Sequence, residues 1–195
     1  MNIGINLRAK SNIKDLTIIP RVRHNMHVMK PSEFKTNVMR TLDAAHVPYR
    51  HYSYADTPAL SGVDVAAVLQ QNPHQVFKTL VTVARSNKYY VFMLPVCCAL
   101  DLKKAAAAVG EKSLSMLPQR ELLGLTGYVH GGCSPIGMKK QFQTVIDTSA
   151  QTFPTIIFSA GKIGYQVDVA PSDIAQIIPL HFADICALSI DGEYD

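Results

Sequence analysis

The chain has 195 residues, enough to bury a core without a metal or disulfide staple, and its 48% hydrophobic and 17% charged content is ordinary for a globular protein. Its longest apolar runs, such as Val91-Phe92-Met93-Leu94-Pro95-Val96, are far too short to span a bilayer. The net charge of +4 arises within residues 1–26, where Arg8, Lys10, Lys14, Arg21 and Arg23 face only Asp15, so the rest of the chain is neutral and any RNA contact there must come from local clusters.

Residues 1–26 show no sustained period and no signal-peptide core. Their basic character fits a transit peptide, and Met26 and Met29 equally fit a misassigned start. The expectation is a disordered or misassigned extension at 1–26 before one domain at 27–195. After Pro31-Ser32, the spacing of Phe34, Val38 and Leu42 predicts a helix ended by Pro48. Residues 49–54 read as extended. Ser61 to Gln71 reads as a second helix with Val65, Val68 and Leu69 inward, stopped by Asn72-Pro73.

Residues 76–84 are rich in β-branched side chains and predict a strand, with residues 89–96 as its hairpin partner. Asp101 caps a helix that runs to Val109 and stops at Gly110. A short helix follows Pro118 through Leu123. Extended segments follow at 128–130, 144–146, 155–159 and 165–169, and a last helix runs from Pro171 through Ile178. Helices interrupting hairpin-linked strands predict an α+β fold with a mixed sheet.

Lys78 stands in a strand whose two faces, Val76, Leu80 and Ala84 against Phe77, Val81 and Val83, are both largely apolar. Such a lysine either snorkels to solvent or reaches a cavity or partner. Gly131-Gly132-Cys133-Ser134-Pro135 is either a tight turn or a loop whose amides approach a ligand oxygen. Cys133 reads as a nucleophile or, more simply, as a small buried residue. The pairs Lys103-Lys104 and Lys139-Lys140 are solvated surface or phosphate contacts. Cys97, Cys98, Cys133 and Cys186 have neither zinc nor disulfide-framework spacing and suit a reducing cytosol. The scattered histidines form no metal motif, and no serine-hydrolase elbow is present.

Phe77-Lys78-Thr79-Leu80, Leu100-Asp101-Leu102-Lys103-Lys104, the run from Gly127 to Lys140 and Phe182-Ala183-Asp184-Ile185 together resemble the YbaK-type aminoacyl-tRNA deacylases. These are similar to the editing domain inserted in bacterial prolyl-tRNA synthetases. The resemblance spans roughly residues 29–188. It implies a mixed, partly barrel-like sheet with surrounding helices and no cofactor or metal. The implied activity is cytoplasmic trans-editing of mischarged Cys-tRNA(Pro), with the tRNA(Pro) 3′ end and a transient prolyl-tRNA synthetase as partners. A deacylase for another tRNA such as Ala-tRNA(Pro), or a non-catalytic tRNA- or synthetase-binding module, are the rival expectations. The family's pocket lysine falls on Lys78, and its loop on Gly131, Gly132, Cys133, Ser134 and Pro135. Substrate-binding positions fall on Tyr54, Thr79, Gln166 and Asp168. Gln166 occupies the place where relatives often carry an acid, and Asp168 is the nearest carboxylate on that face.

Overall fold

The computed structural model describes residues 34–59 and 61–187. The extension expected at 1–26 and the domain start at 27 lie outside the described residues. Helix α1 (Asn37–Ala44) starts where Thr36 Oγ1 accepts the Met39 N–H, and it buries Val38, Met39 and Leu42. That cap moves the start past Phe34. The predicted first rung of the helix is therefore outside it, partly exposed, with its ring 4.9 Å from Tyr165 and under the Lys162 ammonium. The helix ends before Pro48, where His46 turns to φ 55°.

Strand β1 (Arg50–Ser53) leads to α2 (Gly62–Val68), which opens with a reciprocal capping box between Ser61 and Asp64. Val65 and Ala66 face inward; Val68, expected inward, is exposed because the helix is only seven residues long and Ala66 takes the buried position. β2 (Phe77–Ala84) and β3 (Tyr89–Pro95) form the predicted hairpin. α3 (Leu102–Ala108) starts on the Asp101 carboxylate, which accepts from the Lys103 and Lys104 amides. β4 (Leu114–Met116) is too short to register as a period and was not predicted. α4 (Gln119–Thr126) runs three residues beyond its expected end, to Gly127 at φ 86°. Residues 128–130, expected as extended, instead lead into the glycine loop without strand pairing.

β5 (Gln143–Asp147), β6 (Ile156–Ser159) and β7 (Tyr165–Val169) lie where expected. α5 (Pro171–Ile174) is shorter than predicted, and β8 (Leu180–Ala183) follows it. A five-stranded mixed sheet has the order β4-β2-β3-β5-β8, and an antiparallel sheet the order β1-β7-β6. The α+β class with a mixed sheet is therefore observed, but the two sheets remain open rather than closing into a barrel; between them the described residues show one parallel bridge, Val76 to Ile157. Phe77, Val81 and Met93 enter a core shared with Phe158 and Val167 of the smaller sheet, beneath α1. The opposite face, with Ala84, Phe92 and Leu94, packs on Ala105 and Ala106 of α3. β2 and β3 are thus covered on both faces, which is the setting that makes Lys78 costly.

Candidate active site

Phe77 and Val81 commit one face of β2 to the central core, and Lys78 therefore shares the other face with Leu80. It pairs in register with Leu94 of β3. Its Nζ donates to the Val96 carbonyl at 3.3 Å. Burial lowers the lysine's affinity for its proton, opposed by the nearby Cys98, Cys97 and Cys186 thiols. Among the described residues no carboxylate lies within ion-pair distance of it. Lys78 is half-buried and lines a cavity of about 380 Å³.

Of the residues singled out from the sequence, Tyr54, Lys78, Thr79, Gly131, Cys133 and Gln166 line this cavity together. Gly132, Ser134, Pro135 and Asp168 are not on its wall. Pro135 borders a separate cavity of about 220 Å³ with Gly137 and Lys140. Asp168 belongs to a structural cluster: its Oδ2 accepts from Arg50 at 3.1 Å and from the Tyr52 hydroxyl at 3.2 Å, across the β1–β7 pairing. It is no partner for Lys78. Two wall residues hold buried polar atoms without a protein partner, Thr79 Oγ1 and Gln166 Oε1. Gln166 is only 5% exposed. Unpaired polar atoms of this kind are costly unless something else satisfies them, and in a cavity water or a ligand can do so.

The glycine loop is fixed by its surroundings. Tyr128 Oη donates to the Ile136 carbonyl at 2.7 Å, and Asn37 Nδ2 donates to the Gly137 carbonyl at 3.3 Å. Gly131 has φ 78°, a left-handed conformation that favours glycine. A Cβ on Gly132 would stand 3.1 Å from the Ile163 backbone nitrogen. The amides differ in availability. Gly132 N–H donates to the Val129 carbonyl at 3.1 Å, whereas those of Gly131, Cys133 and Ser134 have no acceptor among the described residues. Gly131 and Cys133, whose amides have no acceptor among the described residues, both line the cavity. The Cys133 thiol is buried, which pushes its pKa up to about 12, so it stays protonated and is a poor nucleophile.

Sequence reasoning missed His130 and Ser159, both on the cavity wall, and Tyr128, which braces the loop. Adjacency to the glycines was the available signal for Tyr128 and His130; nothing local marks Ser159. The basic pairs are partly spoken for. Lys104 Nζ binds both Asp184 oxygens, at 2.8 and 3.0 Å, and the Cys186 carbonyl. Lys139 Nζ reaches the Leu123 and Gly124 carbonyls at the end of α4. Among the described residues, no group of three or more His, Cys, Asp or Glu side chains is placed to hold a metal ion, and no helix is long and apolar enough to cross a membrane.

The fold matches a crystal structure described as a proposed trans-editing enzyme for prolyl tRNA synthetase, with TM-score 0.67 and 23% identity over 77% of this chain and 95% of that one. A structure described as a hypothetical protein matches with TM-score 0.70 and 19% identity, over 77% of this chain and 99% of that one. At such identities the likeness speaks for the fold. EbsC of Enterococcus faecalis, described as a proposed Cys-tRNA(Pro)/Cys-tRNA(Cys) deacylase, is 44% identical over 157 residues, 80% of this chain and 96% of that protein. The profile of the aminoacyl-tRNA editing domain matches residues 57–177, and with that span and that relative the chain belongs to the aminoacyl-tRNA editing domain family.

Proposed function

We propose that this chain hydrolyses mischarged Cys-tRNA(Pro) in trans, with residues 27–195 as the editing domain and residues 1–26 as an extension outside it. The observation that carries this is that one cavity is lined by Lys78, whose ammonium has no counter-charge among the described residues, by Gly131 and Cys133, whose amides have no acceptor among them, and by Thr79 and Gln166, whose Oγ1 and Oε1 have no hydrogen-bond partner among them. A cavity of about 380 Å³ suits an aminoacyl ester with its ribose, not a tRNA body. The amino acid is therefore what the pocket reads. Choice of tRNA falls to transient docking on prolyl-tRNA synthetase, in the cytoplasm where translation runs. A second site of this kind answers a real problem: one synthetase pocket separates side chains of similar size poorly.

Lys78 keeps its proton and holds the phosphate or ribose of the terminal adenosine. The Gly131 and Cys133 amides polarise the ester carbonyl and stabilise the oxyanion that forms on it. No protein nucleophile is required. The substrate's cysteine thiol attacks its own carbonyl, a carbon–sulfur bond forms, the carbon–oxygen ester bond breaks, and the ribose oxygen takes the proton. A cyclic thioester and free tRNA result, with the attack favoured by enforced proximity, and water then opens the thioester to free cysteine; direct attack of water on the ester is the other route.

A deacylation panel of Cys-, Ala- and Pro-tRNA(Pro) together with Cys-tRNA(Cys), with and without synthetase, tests the proposal. The expected outcome is release from Cys-tRNA(Pro) at least about 100-fold faster than from Ala-tRNA(Pro), the scale of an effect confined to the transition state. Equal rates on the cysteinyl and alanyl esters would remove thiol attack. Binding without release of any amino acid would leave a non-catalytic module.

A further inference from the structure

Three of the four cysteines gather beside Lys78, and the proposed deacylation uses none of them. Cys97 and Cys98 occupy the turn that follows β3 and Val96. Cys186 follows β8 and pairs with Leu100 in a short antiparallel bridge, held further by the Ala187 N–H donating to the Ala99 carbonyl at 2.9 Å. Cys98 and Cys186 are therefore diagonal neighbours across that pairing. Cys97 Sγ stands 4.0 Å from Cys98 Sγ and 3.4 Å from His74 Nδ1. All three are half-buried residues, unlike the buried Cys133; burial raises the Cys97 thiol's pKa, and its sulfur also lies 3.7 Å from the Pro73 carbonyl oxygen, so its proton must pass to His74 for it to react. With His74 they do not converge on a metal position.

We propose that this cluster is a site of reversible oxidation by hydroperoxides, which closes a Cys98–Cys186 disulfide and weakens the deacylase pocket. Cys97 passes its proton to His74, and its sulfur attacks the peroxide oxygen. The O–O bond breaks, an alcohol or water leaves, and Cys97 becomes a sulfenic acid. The Cys98 thiol displaces water from that sulfenic acid, giving a disulfide between adjacent residues in a cramped eight-membered ring. Burial and the neighbouring Asp147 carboxylate keep the Cys186 thiol protonated at rest, so it hands its proton to Asp147 as its sulfur attacks Cys98, and Cys97 leaves, taking that proton, as a thiol. Two thiols have lost two electrons and two protons, and the peroxide has been reduced to water and an alcohol.

Val96 carries the effect to the pocket. Its carbonyl is the acceptor of Lys78 Nζ. Its side chain packs so tightly on the start of α2 that a Cβ added at Gly62 would stand 2.5 Å from Val96 Cγ1. Drawing Cys98 toward Cys186 shifts this residue, and with it the Lys78 anchor and the α2 wall.

The full-length protein is treated with stoichiometric hydrogen peroxide, its remaining thiols are alkylated, and its peptides are mapped by mass spectrometry without reduction. The expected result is a Cys98–Cys186-linked peptide, cleaved by dithiothreitol, with Cys133 unmodified. Cys97→Ser, checked for folding by its melting curve, is expected to slow formation of the linkage at least tenfold. Absence of the linked peptide, or its formation at the wild-type rate in Cys97→Ser, overturns the proposal. The inhibition rests on the proposed function. Oxidation is expected to lower Cys-tRNA(Pro) deacylation at least fivefold, reversibly, and not to do so in Cys186→Ser. Unchanged activity in a protein that carries the disulfide overturns the inhibition. A reduced protein with no deacylation at all counts against the function and not against the disulfide.

Discussion

Lys78 and Lys104 both belong to motifs that carry the family resemblance, and the structure treats them in opposite ways. Lys104 lies at the surface, where Asp184 and the Cys186 carbonyl satisfy it. Lys78 is half-buried between apolar layers, with a single carbonyl acceptor among the described residues. The first arrangement is self-sufficient, and its pieces explain one another: Asp101 caps α3, the Asp101 N–H donates to the Ile185 carbonyl at 2.9 Å, and Lys104 closes the clasp on Asp184. Two of the four motifs are thus one structural fastening between α3 and the segment after β8. The second arrangement is incomplete as it stands. A half-buried charge without a counter-charge costs stability, and such a cost is expected where a site awaits a ligand.

Replacing Lys78 breaks the comparison most severely. Lys78→Ala is expected to lower kcat/KM on Cys-tRNA(Pro) roughly 100-fold or more, as loss of a charge aimed at the transition state does, while the protein stays folded. Lys78→Met is expected to be equally inactive and more stable, with Tm raised by about 2–4 °C at neutral pH. The pH dependence follows from the direction of the shift. Burial lowers the folded lysine's pKa below the ordinary 10.5. At neutral pH both states hold the proton, and only the folded state has lost its hydration. As pH rises past the folded value, the folded chain releases a proton that the unfolded chain still keeps, so wild-type stability gains there. The Tm gap between Lys78→Met and wild type should therefore narrow toward pH 10. A variant with wild-type turnover, or a Tm gap that widens with pH, would place Lys78 with the structural lysines.

The glycine loop gives the next largest effect and shows where sequence patterns stop being informative. Gly137 has φ 76°, and a Cβ there would stand 2.7 Å from Asn37 Nδ2 and 2.8 Å from Tyr128 Oη. Gly137→Ala is expected to destabilise the fold by roughly 2–3 kcal/mol, from the left-handed backbone and the crowding together, and to weaken deacylation by disturbing the loop. Chemical denaturation measures the first and the deacylation assay the second. Much of the fold was legible: β1, β2, β3, β5, β6 and β7 and the positions of all five helices follow from alternation, apolar spacing, caps and proline or glycine stops. Phe34 and Val68 were misplaced because apolar spacing cannot see where a cap begins a helix or how soon it ends. β4 and β8 were lost because a strand of three or four residues carries too little period. At the site, Lys78 stood out because an alternating strand leaves no cheap place for a charge. Which loop amides are free, that Asp168 is held by Arg50 and Tyr52, and that Ser159 reaches the cavity all depend on contacts between segments distant in sequence.

The smallest effect sharpens the contrast from the other side. Asp184 is 65% exposed, so its pair with Lys104 competes with water and with salt, and surface pairs of that kind contribute little. Lys104→Ala is expected to shift Tm by no more than about 2 °C at low salt, with the difference shrinking in 1 M salt. The Cys186 carbonyl, part-buried, loses its lysine donor in that variant. If Lys104 contacts the tRNA backbone instead, the substitution raises KM and flattens the salt dependence of binding while Tm barely moves. Measuring Tm and KM across the same salt series separates the two. Loss in Tm that fades with salt, at constant KM, keeps Lys104 in the fastening and leaves Lys78 as the cation that meets the substrate.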